Sequence, residues 1–357
     1  MNNIPVPEKN KKLAQLIAMV HVPSNNIFQN TVYLDKMGIK TYSIAELIIL
    51  NKARKMLLQL FKEVLEENQL SFLDQCRSSV FIFKKEETLK IEKMVQELPV
   101  VQYLVQRAIS EVDIYVKNGI SAIEVENVAA PYFIGDKTPF EDLLILTIVC
   151  RAIRKKYPNL VMGLHVLSSN DIEALPIAII FDIYFVRSES SIFSGFRPEG
   201  QTTNNANLAK FYYLRNYIHA CLGVEDAKDR RFPQIWSDLQ KKHTVFNQEL
   251  VDINIWLKNI LFMKLEGIIL TGSETGKNID KKDLIIAREE LDNLKKQTQE
   301  YFGEPVEVPL VTGSGLDMNL YRQYADFIIT GTQLKKNKYW ENEVDEKNVQ
   351  ALIEKFS

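Results

Sequence analysis

The amino-acid sequence predicts an α/β protein of the (β/α)8, or TIM-barrel, class. Three observations predict it. Short apolar runs alternate with helical stretches over most of the chain. Eight strand-like runs are each followed by a helix. Thr-Gly turns close the last three runs, and in such barrels the loops after strands 7 and 8 commonly bind phosphate. A doubly wound sheet is the alternative. It usually has fewer units and a GxGxxG turn after its first strand, whereas the first run here ends in VHVPSN.

The strands read in order as follows. LIAMVHV (16–22) is the first and AIEVEN (122–127) the second, each rich in the apolar and β-branched residues that suit a buried strand. The helix FEDLLILTIVCRAIRKKY (140–157) follows. LVMGLHVL (160–167) precedes the short helix NDIEALPIAII, and IYFVRSE (183–189) precedes the helix 207–223. The fifth run, QIWSDLQKKH (234–243), leads to the helix 248–265. GIILTG (267–272) leads to the helix 282–302, and VPLVTGSG (308–315) to the short helix NLYRQY. DFIITGT (326–332) is the eighth, and the helix NVQALIEKF closes the chain.

About ninety-five residues separate the first two strands, where a βα unit needs roughly thirty. The expected organisation is therefore one barrel domain over 12–357, interrupted by a mainly helical insertion at about 37–97 between strands 1 and 2. Leu47, Leu50, Leu57, Leu60, Phe61 and Val64 form an apolar helix face in it. A loop after a barrel strand lies on the catalytic face, so the insertion reads either as a lid or partner surface, or as a helical layer on the barrel flank.

Composition narrows the function. The 357 residues are 46% hydrophobic and 25% charged, with a net charge of −2, which excludes a nucleic-acid binder relying on bulk positive charge. Cys76, Cys150 and Cys221 are widely spaced and form no CxxC, which fits a reducing compartment and no zinc site. No apolar run reaches the ~18–20 residues of a membrane span, and no targeting segment is recognisable, so a soluble, cytoplasmic protein is expected.

Strand periodicity selects candidate site residues. Asp238, Gln240 and Lys242 share one face of the fifth run; Asp238 and Lys242 read as an acid/base pair or substrate clamp, or else as part of an internal ion pair. Glu126 ends the second strand, with Glu124 two residues earlier on the same face; a salt bridge to Arg187 is the simpler reading of Glu124. His21, His165 and His243 lie at or near strand ends. With Glu126 and Asp238 they could hold a divalent metal, although no HxH or HExxH spacing supports it, so no cofactor is assigned. Gly313, Ser314 and Gly315 would form one half of a phosphate cradle, and Gly331 with Thr332 the other. Thr271, Gly272 and Thr275 could hold a sugar hydroxyl, or simply cap the next helix.

Read together, MVH (19–21), VEN (125–127), the Asp238–His243 cluster, LTGSETG (270–276), VTGSG (311–315), ITGTQLKK (329–336) and WENEVDEKNV (340–349) resemble the BtpA family. The resemblance covers roughly 12–36 and 98–355 and leaves out the insertion. It implies a TIM barrel of the ribulose-phosphate-binding type. The family takes its name from a cyanobacterial factor needed for stable photosystem I accumulation. Other members occur in organisms without photosynthesis, often near sugar-metabolism genes, and some are described as nucleosidase-like. Asn127, His165 and Arg187 join the substrate-binding candidates, and Glu126, Asp238, Lys242, His243 and His21 stand as the catalytic ones. The chain departs from the pattern at GLHVLSSND, where His165 replaces an Asn and Ser-Ser an Arg, at Arg187-Ser188-Glu189 in place of RVN, and in the loop RPEGQTT.

Two functions follow as expectations. One is binding of a phosphorylated sugar or nucleotide-like metabolite at the C-terminal rim, with acid–base cleavage or isomerisation of it. The other is a non-catalytic assembly factor that meets a protein partner, or a second copy, through the 37–97 insertion.

Overall fold

A computed structural model of the chain describes residues 16–23, 49, 52–53, 56, 86–128, 138, 140–167, 170–189, 191–197, 200–201, 208–226, 229, 232–239, 244–245, 252–272, 279–303, 305–313 and 318–356. The barrel strands are β1 (Leu16–Pro23), β2 (Ala122–Val128), β3 (Val161–His165), β4 (Phe185–Ser188), β5 (Gln234–Asp238), β6 (Gly267–Thr271), β7 (Leu310–Gly313) and β8 (Phe327–Thr330). They close in sequence order into one parallel barrel, with β8 pairing back onto β1 through Leu16↔Ile328 and Ala18↔Thr330. The expected (β/α)8 barrel is thus the observed fold.

The helices are α1 (Glu86–Gln96), α2 (Pro99–Lys117), α3 (Phe140–Lys156), α4 (Asp171–Ile180), α5 (Leu208–Cys221), α6 (Ile253–Met263), α7 (Lys281–Phe302), α8 (Met318–Tyr324) and α9 (Glu346–Phe356). Local chemistry sets their ends. Pro99 opens α2, where its missing N–H costs nothing. The Asp280 carboxylate accepts from the Lys282 N–H at the start of α7, and Gly303, at φ 74°, closes that helix in the left-handed conformation.

Two apolar layers hold the barrel. Outward strand residues such as Val20, Leu164, Val186 and Leu310 pack against the helices. Inward, Ile17, Ala122, Phe185, Trp236, Ile269, Val311 and Ile329 fill the lumen. Phe185 and Trp236 stack with centroids 4.0 Å apart and planes 8° apart. Glycine makes room for both rings: a Cβ on Gly163 would stand 2.1 Å from Phe185 Cζ, and one on Gly267 2.2 Å from Trp236 Cδ1. This plug fills one part of the lumen. Because side chains alternate along a strand, the next inward positions toward the strand C-termini follow from it.

Of the 37–97 insertion, Ile49, Lys52, Ala53, Met56 and residues 86–97 are described, and Ile49, Ala53 and α1 pack on the flank. Ala53, Ile91 and Val95 are buried against Val100 and Val101 of α2 and Leu144 and Ile148 of α3. The rest of the insertion lies outside the described residues. The fifth strand differs from its expected span. It ends at Asp238: the chain bends at Leu239, whose N–H still donates to Ile269 O at 3.0 Å as the last rung of the β5–β6 ladder, and 240–243 lie outside the described residues. Val245 then pairs with Phe196, in the loop after β4, through two backbone bonds of 2.8 and 2.9 Å.

Candidate functional site

Beyond the apolar plug, the inward positions turn polar on one half of the barrel. β2 presents Glu124 and Glu126, β3 His165, β4 Arg187 and β5 Asp238. All are buried or nearly so, and an ionisable group held away from water needs a partner. Arg187 supplies two pairings. Its Nη2 lies 3.0 and 3.2 Å from the two oxygens of Asp238, and its Nη1 donates to Glu124 Oε1 at 3.2 Å. The guanidinium therefore bridges β5 and β2 across the lumen. Burial works against its charge, but Asp238 and Glu124 more than offset this and raise its pKa.

Glu126 and His165 are opposed in the β2–β3 register, and Glu126 Oε2 meets His165 Nδ1 at 2.6 Å. Burial opposes ionisation of Glu126, yet His165, with His21 and Arg187 behind it, holds its carboxyl down at about 2. Its strand neighbour Glu124 moves the other way. Burial raises its pKa, and the repulsion of Glu126 adds to the rise against the pull of Arg187 and His165. Two carboxylates on one face of one strand are thus pushed apart in acidity, the pattern of an acid–base site. His165 Nε2 faces Glu189 Oε1 at 3.7 Å.

The other half of the mouth carries no charge at the corresponding described positions. β6 ends in Thr271, facing inward beside Ile269, and Thr271 is registered with Gly313 of β7. β8 leads into Gly331 and the 3-10 turn Thr332–Leu334. The three Thr-Gly turns lie side by side, but they are not structural repeats. In β7 and β8 the threonine points out and the glycine in; in β6 the phase is shifted by one residue, so Thr271 points in and Gly272 out. Gly331 has a packing reason of its own. A Cβ there would meet His21 Cε1 at 2.9 Å. The His21 ring lies edge-on to Trp340, with centroids 6.4 Å apart.

The structure thus brings together Glu126, His165, Arg187 and Asp238, with His21 at the end of the adjoining β1. Asp238 is gripped by Arg187, while Lys242, its expected companion, lies outside the described residues. Asn127 faces the opposite side of β2 from Glu126, and its amide is engaged with Leu167, whose N–H donates to Oδ1 at 2.7 Å. It therefore shapes the β3–α4 turn. Lys242, His243, Thr275, Ser314 and Gly315 lie outside the described residues. Sequence reasoning missed Glu189, although it alternates with Phe185 and Arg187, and it missed Asp171. That carboxyl is buried at the start of α4, where it accepts from Ser188 Oγ at 3.2 Å. Burial, helped by Glu173 and Glu189, pushes its pKa up to about 7. Among the described residues, Glu124, Glu126 and His165 are the group whose donor atoms lie close enough, within 4.8 Å, to share a metal ion.

The family model for BtpA matches residues 99–357. The chain belongs to the BtpA family. Relatives include an uncharacterized mitochondrial protein of Caenorhabditis elegans, 24% identical over 266 residues, spanning 70% of this BtpA-family chain and 83% of the relative. An uncharacterized protein of Methanocaldococcus jannaschii is 25% identical over 258 residues, spanning 70% and 85%. Among solved structures, KGPDC from Streptococcus mutans is similar at a TM-score of 0.38 and 12% identity, over 69% of this chain and 90% of that one. Among the described residues of this BtpA-family barrel, no helix is long and apolar enough to cross a membrane.

Proposed function

We propose that this BtpA-family barrel binds a phosphorylated sugar or nucleotide-like metabolite at its C-terminal mouth and performs acid–base chemistry on it, cleaving a glycosidic bond or isomerising the sugar. The observation that carries the reading is the division of the mouth. β2 to β5 present Glu124, Glu126, His165, Arg187 and Asp238, whereas β6 and β7 end in Thr271 and Gly313 and β8 leads into Gly331. A phosphoryl dianion is repelled by the carboxylate half. On the other half, glycines let backbone N–H groups approach an anion without a Cβ between. The body of the ligand then extends over Glu126 and His165. Their hydrogen bond of 2.6 Å joins a carboxylate to an imidazole, two groups suited to passing a proton to and from a sugar oxygen. Arg187, fixed on both sides, keeps the neighbouring carboxylates in place.

Turnover of a panel of phosphosugars and nucleoside phosphates tests this, with Glu126→Gln and His165→Gln as variants. The reading expects one compound class to be consumed and both variants to lose about 10²–10⁴-fold in kcat while still binding it. Binding without turnover in the unmodified chain would leave a binding protein. Neither binding nor turnover would favour the assembly-factor function.

A further inference from the structure

We propose that Glu124, Glu126 and His165 form an inner-sphere site for one divalent cation of the Mn2+ or Zn2+ kind. The ion would polarise an oxygen of the bound metabolite, so its catalytic use rests on the function proposed above; its binding does not.

Three features of the cluster support a cation. The first is geometry. The three ligands come from adjacent, hydrogen-bonded strands, two of them from one face of β2 and the third from the registered position on β3. His165 Nδ1 is 2.6 Å from Glu126 Oε2 and 3.6 Å from Glu124 Oε1. Ligand atoms each about 2.1 Å from one ion sit roughly 3.0–3.4 Å from one another. The two His165 separations bracket that spacing, and all three ligand atoms lie within 4.8 Å of one another, so side-chain adjustment would admit an ion.

The second is an unspent donor. Glu124 is fully buried, and its Oε1 is taken by Arg187. Its Oε2 has no hydrogen-bond partner among the described residues. A buried carboxylate oxygen without a partner is costly. A cation held through Oε2, alone or together with Oε1, would satisfy it.

The third is the surround. A metal-bound imidazole usually turns its other nitrogen toward a carboxylate or carbonyl, which fixes the ring. His165 Nε2 has no hydrogen bond among the described residues, and it faces Glu189 Oε1 at 3.7 Å, close enough to become such a partner when the ring adjusts. Arg187 orients Glu124 from the other side and is itself held by Asp238. Two carboxylates and one imidazole leave coordination positions open, and mixed oxygen and nitrogen donors suit Mn2+, Fe2+ or Zn2+ better than Ca2+. With the ion in place, Glu126 and His165 hold it. The ion would then balance the negative charge gathering on the polarised substrate oxygen.

The test is titration of chelator-stripped protein with Mn2+ and with Zn2+, followed by calorimetry and, for Mn2+, by pulsed electron paramagnetic resonance. The proposal expects about one equivalent bound and nitrogen coupling from one imidazole. Glu124→Gln, Glu126→Gln and His165→Gln should each weaken uptake at least tenfold. No uptake overturns the proposal. So does uptake without nitrogen coupling, a readout that stands even if the variants fail to fold. So does affinity unchanged in folded Glu126→Gln and His165→Gln. Phosphate-ligand binding in the chelator-stripped protein, read in parallel, separates the two ideas: ligand binding without metal uptake sinks the ion alone, and metal uptake without ligand binding sinks the metabolite alone.

Discussion

Arg187 and Asp238 face each other across the β4–β5 boundary: Nη2 donates to both carboxylate oxygens at 3.0 and 3.2 Å, and Nε to Oδ1 at 3.3 Å. The same guanidinium reaches Glu124 on β2, so one cation serves two buried anions on opposite sides of β3. Removing it strands both. Arg187→Met is expected to cost about 3–5 kcal/mol in urea unfolding, because an uncompensated buried charge is worse than a missing ion pair. Arg187→Lys keeps the charge but cannot span both carboxylates, and should recover part of the loss. Equal stability of Arg187→Met and the natural chain would mean that the bridge does not form.

A second buried pair ties the C-terminal segment to the barrel. Lys335 is 0% exposed, and its Nζ lies 2.6 Å from Glu111 Oε1 on α2. Arg107, one turn earlier on α2, donates to Glu341 O at 2.7 Å. The ITGTQLKK and WENEVDEKNV motifs thus serve, in part, to latch this segment onto α2. Lys335→Met should cost about 3–5 kcal/mol, and the double variant Lys335→Met/Glu111→Leu should regain most of it. Additive losses in that cycle would show that the two side chains are not coupled.

Asp171 predicts a pH dependence. Its pKa in the folded chain is raised to about 7, mainly by burial, so folding favours its protonated form. The stability it contributes is complete below its ordinary unfolded pKa, about 3.9, and is lost as pH rises toward 7. Compared with Asp171→Asn, which can still hold Ser188, the natural chain should lose stability steadily between pH 4 and 7 and then run parallel. Urea midpoints that track each other over the whole range would refute this.

Much of the architecture was legible before the structure, and the reasons are physical. Eight buried parallel strands must read as short apolar runs, and the helices between them carry a 3.6-residue period, so element type and order came through. What did not come through depends on phase and on cross-strand contact. ILTG and VTG share a wording, yet a one-residue shift in register turns Thr271 inward where Thr312 turns outward. The grip of Arg187 on Asp238 was not legible, because period 2 is visible along a strand whereas reach from the next strand is not. The end of the fifth strand at Asp238 was not legible either, since nothing in the alternation of QIWSDLQKKH marks the bend at Leu239. Glu189 was within reach of the same alternation that found Arg187. Asp171 was not, since it reads as an ordinary acidic residue in the first turn of a helix.

The aromatic plug predicts intolerance at a glycine far from the mouth. Gly163→Ala puts a Cβ 2.1 Å from Phe185 Cζ, and Phe185 is pinned by its stack on Trp236. The ring cannot yield without breaking that stack, so a loss of about 1–3 kcal/mol or more is expected in thermal unfolding. An unchanged melting temperature would mean the lumen is looser than described.

The central claim is that the uncharged half of the mouth receives a phosphoryl group. Thermal unfolding with a panel of phosphosugars and nucleoside phosphates tests it most directly, with Gly313→Asp as the comparison. A Cβ at 313 would only touch Thr271 Cγ2 at 3.5 Å, so that variant should fold, while its carboxylate stands where the anion belongs. The account predicts that at least one phosphorylated ligand stabilises the natural chain, by about 2.7 kcal/mol at a hundredfold excess over Kd, and leaves Gly313→Asp unmoved. Stabilisation of both proteins alike, or of neither by any phosphorylated compound, would contradict it.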